Sequence, residues 1–151
     1  MPDTIYDMIN KVAALACLQD MIAKHGNGRI TSTTREAYAL DTPGMIILVA
    51  RAGAKVIGVA ATILDEQNKT TRNSLVIVHK QFRNKGIGTI LLTSRIMVVH
   101  EHGCVATACV AQDNIASNRM CEKANLVVCG AREATRSNGT FTQLLYSDTT
   151  R

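Results

Sequence analysis

The stretch Leu75–Leu92, LVIVHKQFRNKGIGTILL, limits what this chain can fold into more than any other. It opens on four unbroken aliphatic residues, Leu75 to Val78, which read as a buried strand. A polar turn follows, carrying Arg83, Lys85, Gly86 and Gly88. Ile87, Ile90, Leu91, Ile96 and Met97 then fit one face of a helix that runs from Gly86 to Glu101. A strand, a glycine turn and a helix in that order make an anion site. The first N–H groups of a helix have no partner inside it, and the helix dipole adds partial positive charge. Gly86 and Gly88 remove side chains where a phosphate would approach. Two other glycine loops are excluded. A dinucleotide fingerprint needs a third glycine where Leu91 stands, and no run supplies G-x-x-x-x-G-K-S/T. A plain strand-to-helix turn is the competing account.

The rest of the chain orders itself around that unit. Ile5, Ile9, Val12, Leu15, Leu18 and Ile22 recur at helical spacing, so a helix is predicted over Thr4–Lys24 and stopped by His25-Gly26-Asn27-Gly28. Thr33-Thr34-Arg35-Glu36 is a capping box opening a short helix to about Leu40. Met45–Ala50 and Lys55–Leu64 are β-rich runs joined by Arg51-Ala52-Gly53-Ala54, a hairpin pattern. The polar turn Asp65–Lys69 leads to the strand ending at Val78. Cys104–Val110 is a predicted strand, Asn114–Ala124 a short helix and Leu126–Val128 a strand. Ser137-Asn138-Gly139 is a hairpin turn into Thr140–Tyr146. The order predicts one α/β domain over residues 1–151, with helices flanking a mixed, mostly antiparallel sheet.

Composition removes several function classes. No apolar run approaches the roughly 18–20 residues that cross a bilayer, and Met1-Pro2-Asp3-Thr4 lacks the layout of a signal peptide. A cytoplasmic soluble chain is expected. The five cysteines form no C-x-x-C pair and no zinc-like spacing with histidine, so buried free thiols and no metal are expected. A net charge of +5 suits a polyanionic cofactor, whereas 3% aromatic residues leave no base-stacking platform and disfavour nucleic acid.

Arg83-Asn84-Lys85-Gly86-Ile87-Gly88 resembles the R-x-x-G-x-G/A signature of the GNAT superfamily of acetyl-CoA-dependent N-acetyltransferases. The approach Val78–Arg83 looks like that family's V-x-P-x-x-R lead, with Lys80 in place of proline. A second segment, Val110–Leu126, resembles the family's N-x-x-A/S-x-x-h-Y-E-K-x-G-F motif through Asn114, Ser117, Glu122 and Lys123. It departs at Cys121 for tyrosine, Asn125 for glycine and Leu126 for phenylalanine. Asn125 tolerates the left-handed backbone a glycine would adopt. With the hairpin, the resemblance covers about Met45–Tyr146. It implies a GNAT-like sheet, whose first strand is here short or missing because the helical pattern starts almost at Met1.

The resemblance also implies a chemistry. A neutral primary amine, on a small molecule or a protein, attacks the thioester of acetyl-CoA, the acyl-donor cosubstrate. Main-chain N–H groups over Arg83, Asn84, Lys85, Gly86, Ile87, Gly88 and Thr89 would hold the diphosphate, with Arg83 and Lys85 adding charge. Val76, Ile77 and Val78 would expose backbone groups to the pantetheine arm and to the developing oxyanion. Asn114 would bind the arm or a relay water, or else cap a helix. Ser117 would be structural or a weak cofactor contact. Cys121 stands where the family's general-acid tyrosine stands, and would protonate the leaving thiolate or simply fill the core. No carboxylate lies between Thr70 and His79 to act as base, and Asp41, Asp65 and Glu66 read as solvated turn residues. Two alternatives stay open: a catalytically silent acyl-CoA-binding module, motivated by the lost tyrosine, and an RNA-directed acetyltransferase, motivated by the charge. A homodimer is also open.

Overall fold

The computed structural model describes residues 3–6, 11–26, 30–136 and 139–148. In chain order the elements are β1 (Asp3–Tyr6), α1 (Lys11–His25), α2 (Ser32–Ala37), β2 (Met45–Ala52), β3 (Lys55–Asp65) and β4 (Thr70–Val78). A single 3-10 turn at Lys80–Phe82 precedes α3 (Ile87–Glu101), β5 (Thr107–Ala111), α4 (Ile115–Lys123), β6 (Leu126–Arg136) and β7 (Gly139–Asp148). The strands form two sheets, in the orders β1-β2-β3-β4 and β5-β7-β6, and every ladder within them is antiparallel.

β3 explains why the first sheet is covered on both faces. Residues Ile57 to Leu64 of β3 are buried without interruption, the pattern of a strand with apolar layers above and below. On one face Val59, Ala61 and Ile63 meet Leu18, Met21 and Ile22 of α1 and the ring of Tyr38. On the other face Ala60 meets Leu91, Leu92 and Val99 of α3, and this core continues to Cys121 of α4 and Tyr146 of β7. A buried leucine or valine side chain is worth roughly 1.5–3 kcal/mol, so these two layers hold the sheet.

The seam between the sheets positions the site. At its closed end β4 and β5 run parallel as neighbours. Val105 N donates to Lys69 O at 2.8 Å, and Thr107 Oγ1 donates to Thr71 O at 2.9 Å. Thr107 N donates to Thr71 Oγ1 at 3.0 Å, a side chain taking the place of a ladder carbonyl. β4 then bulges. Its pairing with β3 passes from Ile63↔Arg72 to Ala61↔Leu75, so Asn73 and Ser74 both stand against Thr62. Asn73 takes the left-handed backbone, φ 53°. Beyond the bulge no ladder joins β4 to β5.

Several boundaries differ from the sequence expectation. The helix expected over Thr4–Lys24 is instead a four-residue strand followed by a helix from Lys11, so the first strand is present and short. Ile5 belongs to that strand, opposite Val49 of β2. Val12, counted on the apolar face, is 82% exposed. The cap of α2 is Thr31, not Thr33: its hydroxyl accepts from Thr34 N at 3.3 Å, and the helix ends at Ala37 rather than Leu40. A run of threonines offers the same cap chemistry at several positions, and packing selects among them. The strand expected from Cys104 starts at Thr107, because Cys104 N still bonds to Val99 O at the end of α3. β6 and β7 run longer than expected, to Arg136 and Asp148. Ser137 and Asn138 of the expected turn, and Asn27 and Gly28 of the expected helix stop, lie outside the described residues.

Candidate active site

The open seam forms a cleft of about 1130 Å³ that reaches both faces of the sheet layer. On one side it is bordered by the glycine turn and α4, on the other by residues 30–34 ahead of and within α2. Val76–Val78, Arg83, Asn84, Gly86–Thr89, Asn114, Ser117 and Cys121 all border this one cleft. Lys85 does not line it; its ammonium stands 5.6 Å from the centre of the Phe82 ring.

The glycine turn is built by the backbone. Asn84 and Gly86, at φ 63° and 82°, are two left-handed positions within three residues, and they coil the chain into the start of α3. Gly86 is the N-cap and offers no side chain for capping. The first amide to close a helical bond is Ile90, onto Gly86 O at 3.1 Å, so the preceding helical amides point outward at the positive end of the dipole. The two glycines serve different needs. A Cβ on Gly86 would meet nothing within 4 Å, so backbone conformation alone calls for glycine there. A Cβ on Gly88 would lie 2.9 Å from Met120 Sδ, so its bareness lets α4 pack close to α3.

Side chains brace this turn. Arg83 Nε donates to Val78 O at 3.1 Å, and its Nη2 to His25 O at 3.1 Å, tying the end of β4 to the end of α1. The Lys55 ammonium, at the start of β3, stands 5.4 Å from the centre of the same Phe82 ring. Lys55 and Lys85 thus bring two ammonium groups beside the turn. His79 does not enter the cleft; its Nδ1 accepts from Gln81 N at 3.1 Å and caps the 3-10 turn. Burial, then Lys55 and Arg83, lower its pKa.

α4 carries the second motif. Asn114 is its N-cap, with Oδ1 accepting from Ser117 N at 3.3 Å. Asn114 therefore caps α4, and the residue also borders the cleft. Asn118 donates to Ala111 O at 3.1 Å and to Asn114 O at 2.8 Å, and accepts from the Tyr146 hydroxyl at 2.6 Å. Asn125 has φ 64°, the left-handed turn its place in the motif demands. Cys121 is buried within the α3–α4 core, and burial pushes its thiol up to about 11. It therefore keeps its proton at neutral pH.

Sequence reasoning missed four groups at the cleft or its mouth. Lys55 and Glu133 are brought in from other strands, and nothing near them in sequence marks them. His25 lines the cleft with a buried Nδ1 that has no hydrogen-bond partner. Burial, then His79, Lys80 and Arg83, lower its pKa, against a smaller pull from Asp20. Arg95 is the largest miss. It is 2% exposed in the middle of the buried face of α3, and Met97, expected inside, is on the opposite side at 60% exposure. The turn acids behave as expected: Asp41 pairs with Lys11 at 3.4 Å, and Asp65 is held by Asn68. Among the described residues, no three His, Cys, Asp or Glu side chains gather as a metal site.

The acetyltransferase (GNAT) family profile matches residues 14–125, which takes in the glycine-turn motif and the second motif up to Asn125, and extends N-terminally beyond the hairpin. No curated protein sequence matches the chain. Among solved structures, a GNAT-family acetyltransferase from Streptococcus pneumoniae superposes with a TM-score of 0.77 at 16% identity, over 98% of both chains. The ribosomal-protein-S18-alanine N-acetyltransferase from Escherichia coli gives 0.75 at 13% identity, over 98% of this chain and 93% of its own. The Salmonella typhimurium protein yncA, solved with its cofactor acetyl-CoA, gives 0.72 at 21% identity, over 97% and 92%. At these identities the likeness is one of fold. The two motifs, their place on one cleft and the family match over residues 14–125 establish that this chain belongs to the GNAT family of acetyltransferases.

Proposed function

We propose that the chain moves an acetyl group from acetyl-CoA to a primary amine, by direct attack within a ternary complex. The observation that carries this reading is the cleft itself. It passes through the seam between β4 and β5, with the glycine turn at one mouth and residues 30–34 at the other. Two reactants can therefore approach one carbon from opposite faces of the sheet layer, which needs no covalent relay through the protein.

In this reading the outward amides of Ile87, Gly88 and Thr89 bind the diphosphate, and Arg83, Asn84, Lys85 and Gly86 shape and charge the turn. Val76, Ile77 and Val78 run along the edge that β5 has left, where an extended pantetheine arm can lie as an added strand. An N–H on that edge serves the tetrahedral oxyanion; losing one such donor costs about 3–4 kcal/mol in comparable sites. Asn114 spends its oxygen on the α4 cap and offers its amide donors to the arm, with Ser117 beside it. Cys121 is the candidate acid for the leaving thiolate. Its raised pKa keeps the proton in place but makes the transfer uphill, so its share of the rate is small. The acceptor is an amine of a small molecule or a protein, and the chain works as a single domain in the cytoplasm, as a monomer or homodimer.

The test is calorimetry with coenzyme A and acetyl-CoA, followed by thiol release against a panel of amines with both substrates varied. Binding of both CoA species and intersecting double-reciprocal lines are expected. Parallel lines would point to an acetylated protein intermediate and sink the ternary complex. Binding without turnover on any amine would leave the silent acyl-CoA module. Salt-dependent RNA binding with turnover on RNA alone would favour the RNA-directed reading.

A further inference from the structure

Leu91, Arg95 and Val99 stand at successive four-residue steps on α3, and all three are buried, at 0%, 2% and 1% exposure. A guanidinium thus occupies a position that the helix pattern gives to an aliphatic residue. Taking a guanidinium out of water is costly unless an anion meets it. Here one neutral acceptor does: Arg95 Nη1 donates to Leu75 O at 2.9 Å, on β4 just past its bulge. Arginine carries five donors in a fixed fork, and this bond uses one.

The groups facing it supply no negative charge. No carboxylate pairs with Arg95 among the described residues. From the end of α2 comes the phenol of Tyr38, which donates its own proton to Asn73 O at 2.7 Å and which burial keeps protonated. From α4 comes the Cys121 thiol, also kept protonated by burial. The remaining nitrogens of Arg95 are not sealed into apolar wall. Among the described residues the sole buried side-chain polar atom without a partner is His25 Nδ1, and Arg95 borders the cleft. The unused side of the fork therefore borders the cleft, beside the bulge of β4.

We propose that Arg95 binds a carboxylate carried by one of the two substrates, at the floor of the seam beside the reacting carbon. The carboxylate belongs either to an amino-acid-like acceptor or to the far end of a short dicarboxylic acyl group on coenzyme A. Both present the planar pair of oxygens that a guanidinium fork grips through two parallel bonds. The inference rests on reading the cleft as an acyl-transfer site. It makes Arg95 a determinant of specificity.

The experiment compares matched substrates: an α-amino acid against its amide with acetyl-CoA, and succinyl-CoA against butyryl-CoA with one amine. Wild type is expected to favour the carboxylated member of one pair by tenfold or more in kcat/KM, and the pair that shows it names the source. Arg95→Gln retains a donor for Leu75 O and drops the charge, so the preference should fall below threefold. If Arg95 merely satisfied that carbonyl, Arg95→Gln would keep the wild-type ratio, and the proposal would be overturned. A wild-type ratio near one in both pairs overturns it as well, whether or not the variant folds. Failure of the acyl-transfer reading looks different, because no CoA species then gives heat. In that case succinate added to the protein still decides. A rise in Tm for wild type and none for Arg95→Gln supports the anion site; equal shifts, or none in either, refute it.

Discussion

At the α3 end, the cleft is lined by main chain. Asn84 and Gly86 set the turn through their backbone angles, the outward amides of α3 face the mouth, and Arg83, which borders the cleft, donates to two carbonyls. At the opposite end the lining comes from residues 30–34, while Glu133 and Phe141 join the cleft from β6 and β7. Main-chain geometry is specified by a few local residues, so that end has a short motif and suits a ligand part that never varies. A side-chain lining is assembled by the fold and can change one residue at a time. On the proposed reading, the invariant partner belongs at the first end and the variable acceptor at the second.

The sharpest way to break this comparison is Gly86→Val. A Cβ there meets no atom, so a steric account predicts no effect. The backbone account predicts a large one, because a β-branched residue at φ 82° costs about 1–2 kcal/mol and drives the turn to another shape. Affinity for coenzyme A, measured by calorimetry, should fall at least about thirtyfold, which is roughly 2 kcal/mol. Lys55→Ala and Lys85→Ala should each weaken binding by no more than about threefold, fading with added salt, as exposed charges do. Equal losses from the glycine and the lysines would show that side-chain charge, not main-chain shape, makes this end.

A smaller effect is expected from Cys121→Ala. The thiol sits among apolar side chains with its pKa at about 11, and no imidazole is paired with it. An acid that gives up its proton uphill adds little to the rate, so kcat should drop by less than about tenfold, while the small cavity costs about 1 kcal/mol of stability. Urea unfolding alongside initial rates separates the two. A loss of about a thousandfold in kcat at unchanged KM would restore the thiol to a central role.

What the sequence made legible follows the same division. The strand, turn and helix around Gly86, the α4 cap at Asn114 and the left-handed Asn125 are local devices, and each stands where its neighbours in sequence put it. Arg95 was not legible because α3 is apolar almost all the way round. Ile87, Ile90, Leu91, Leu92, Ile96, Met97, Val98 and Val99 leave no unique face, so the phase placing Met97 inside looked as good as the true one. The four-residue β1 was absorbed into the helix after it because Ile5 suits both periods, and only pairing with β2 decides. Lys55, His25 and Glu133 reach the cleft or its mouth through the sheet order, which no local pattern encodes.

The last prediction probes the α3 end through the histidines beside the glycine turn. His25 and His79 have ring centres 4.2 Å apart, and both pKa values are lowered. Burial is the first cause for each. For His25 the further causes are His79, Lys80 and Arg83, opposed by Asp20; for His79 they are Lys55 and Arg83. A base whose folded pKa is depressed binds its proton more weakly in the folded state. As pH falls below the ordinary histidine value of about 6.5, the unfolded chain takes up protons first, and stability is lost until the folded pKa is passed. Tm should therefore fall between pH 7 and pH 5, and His25→Gln should flatten the fall. A bound diphosphate would add negative charge near the same pair and raise both pKa values. Saturating coenzyme A should then shrink the loss of stability between pH 7 and pH 5, beyond its general gain in Tm. If coenzyme A raised Tm by the same amount at every pH from 7 to 5, the diphosphate would not lie beside these histidines, and the assignment of the two ends would have to be exchanged.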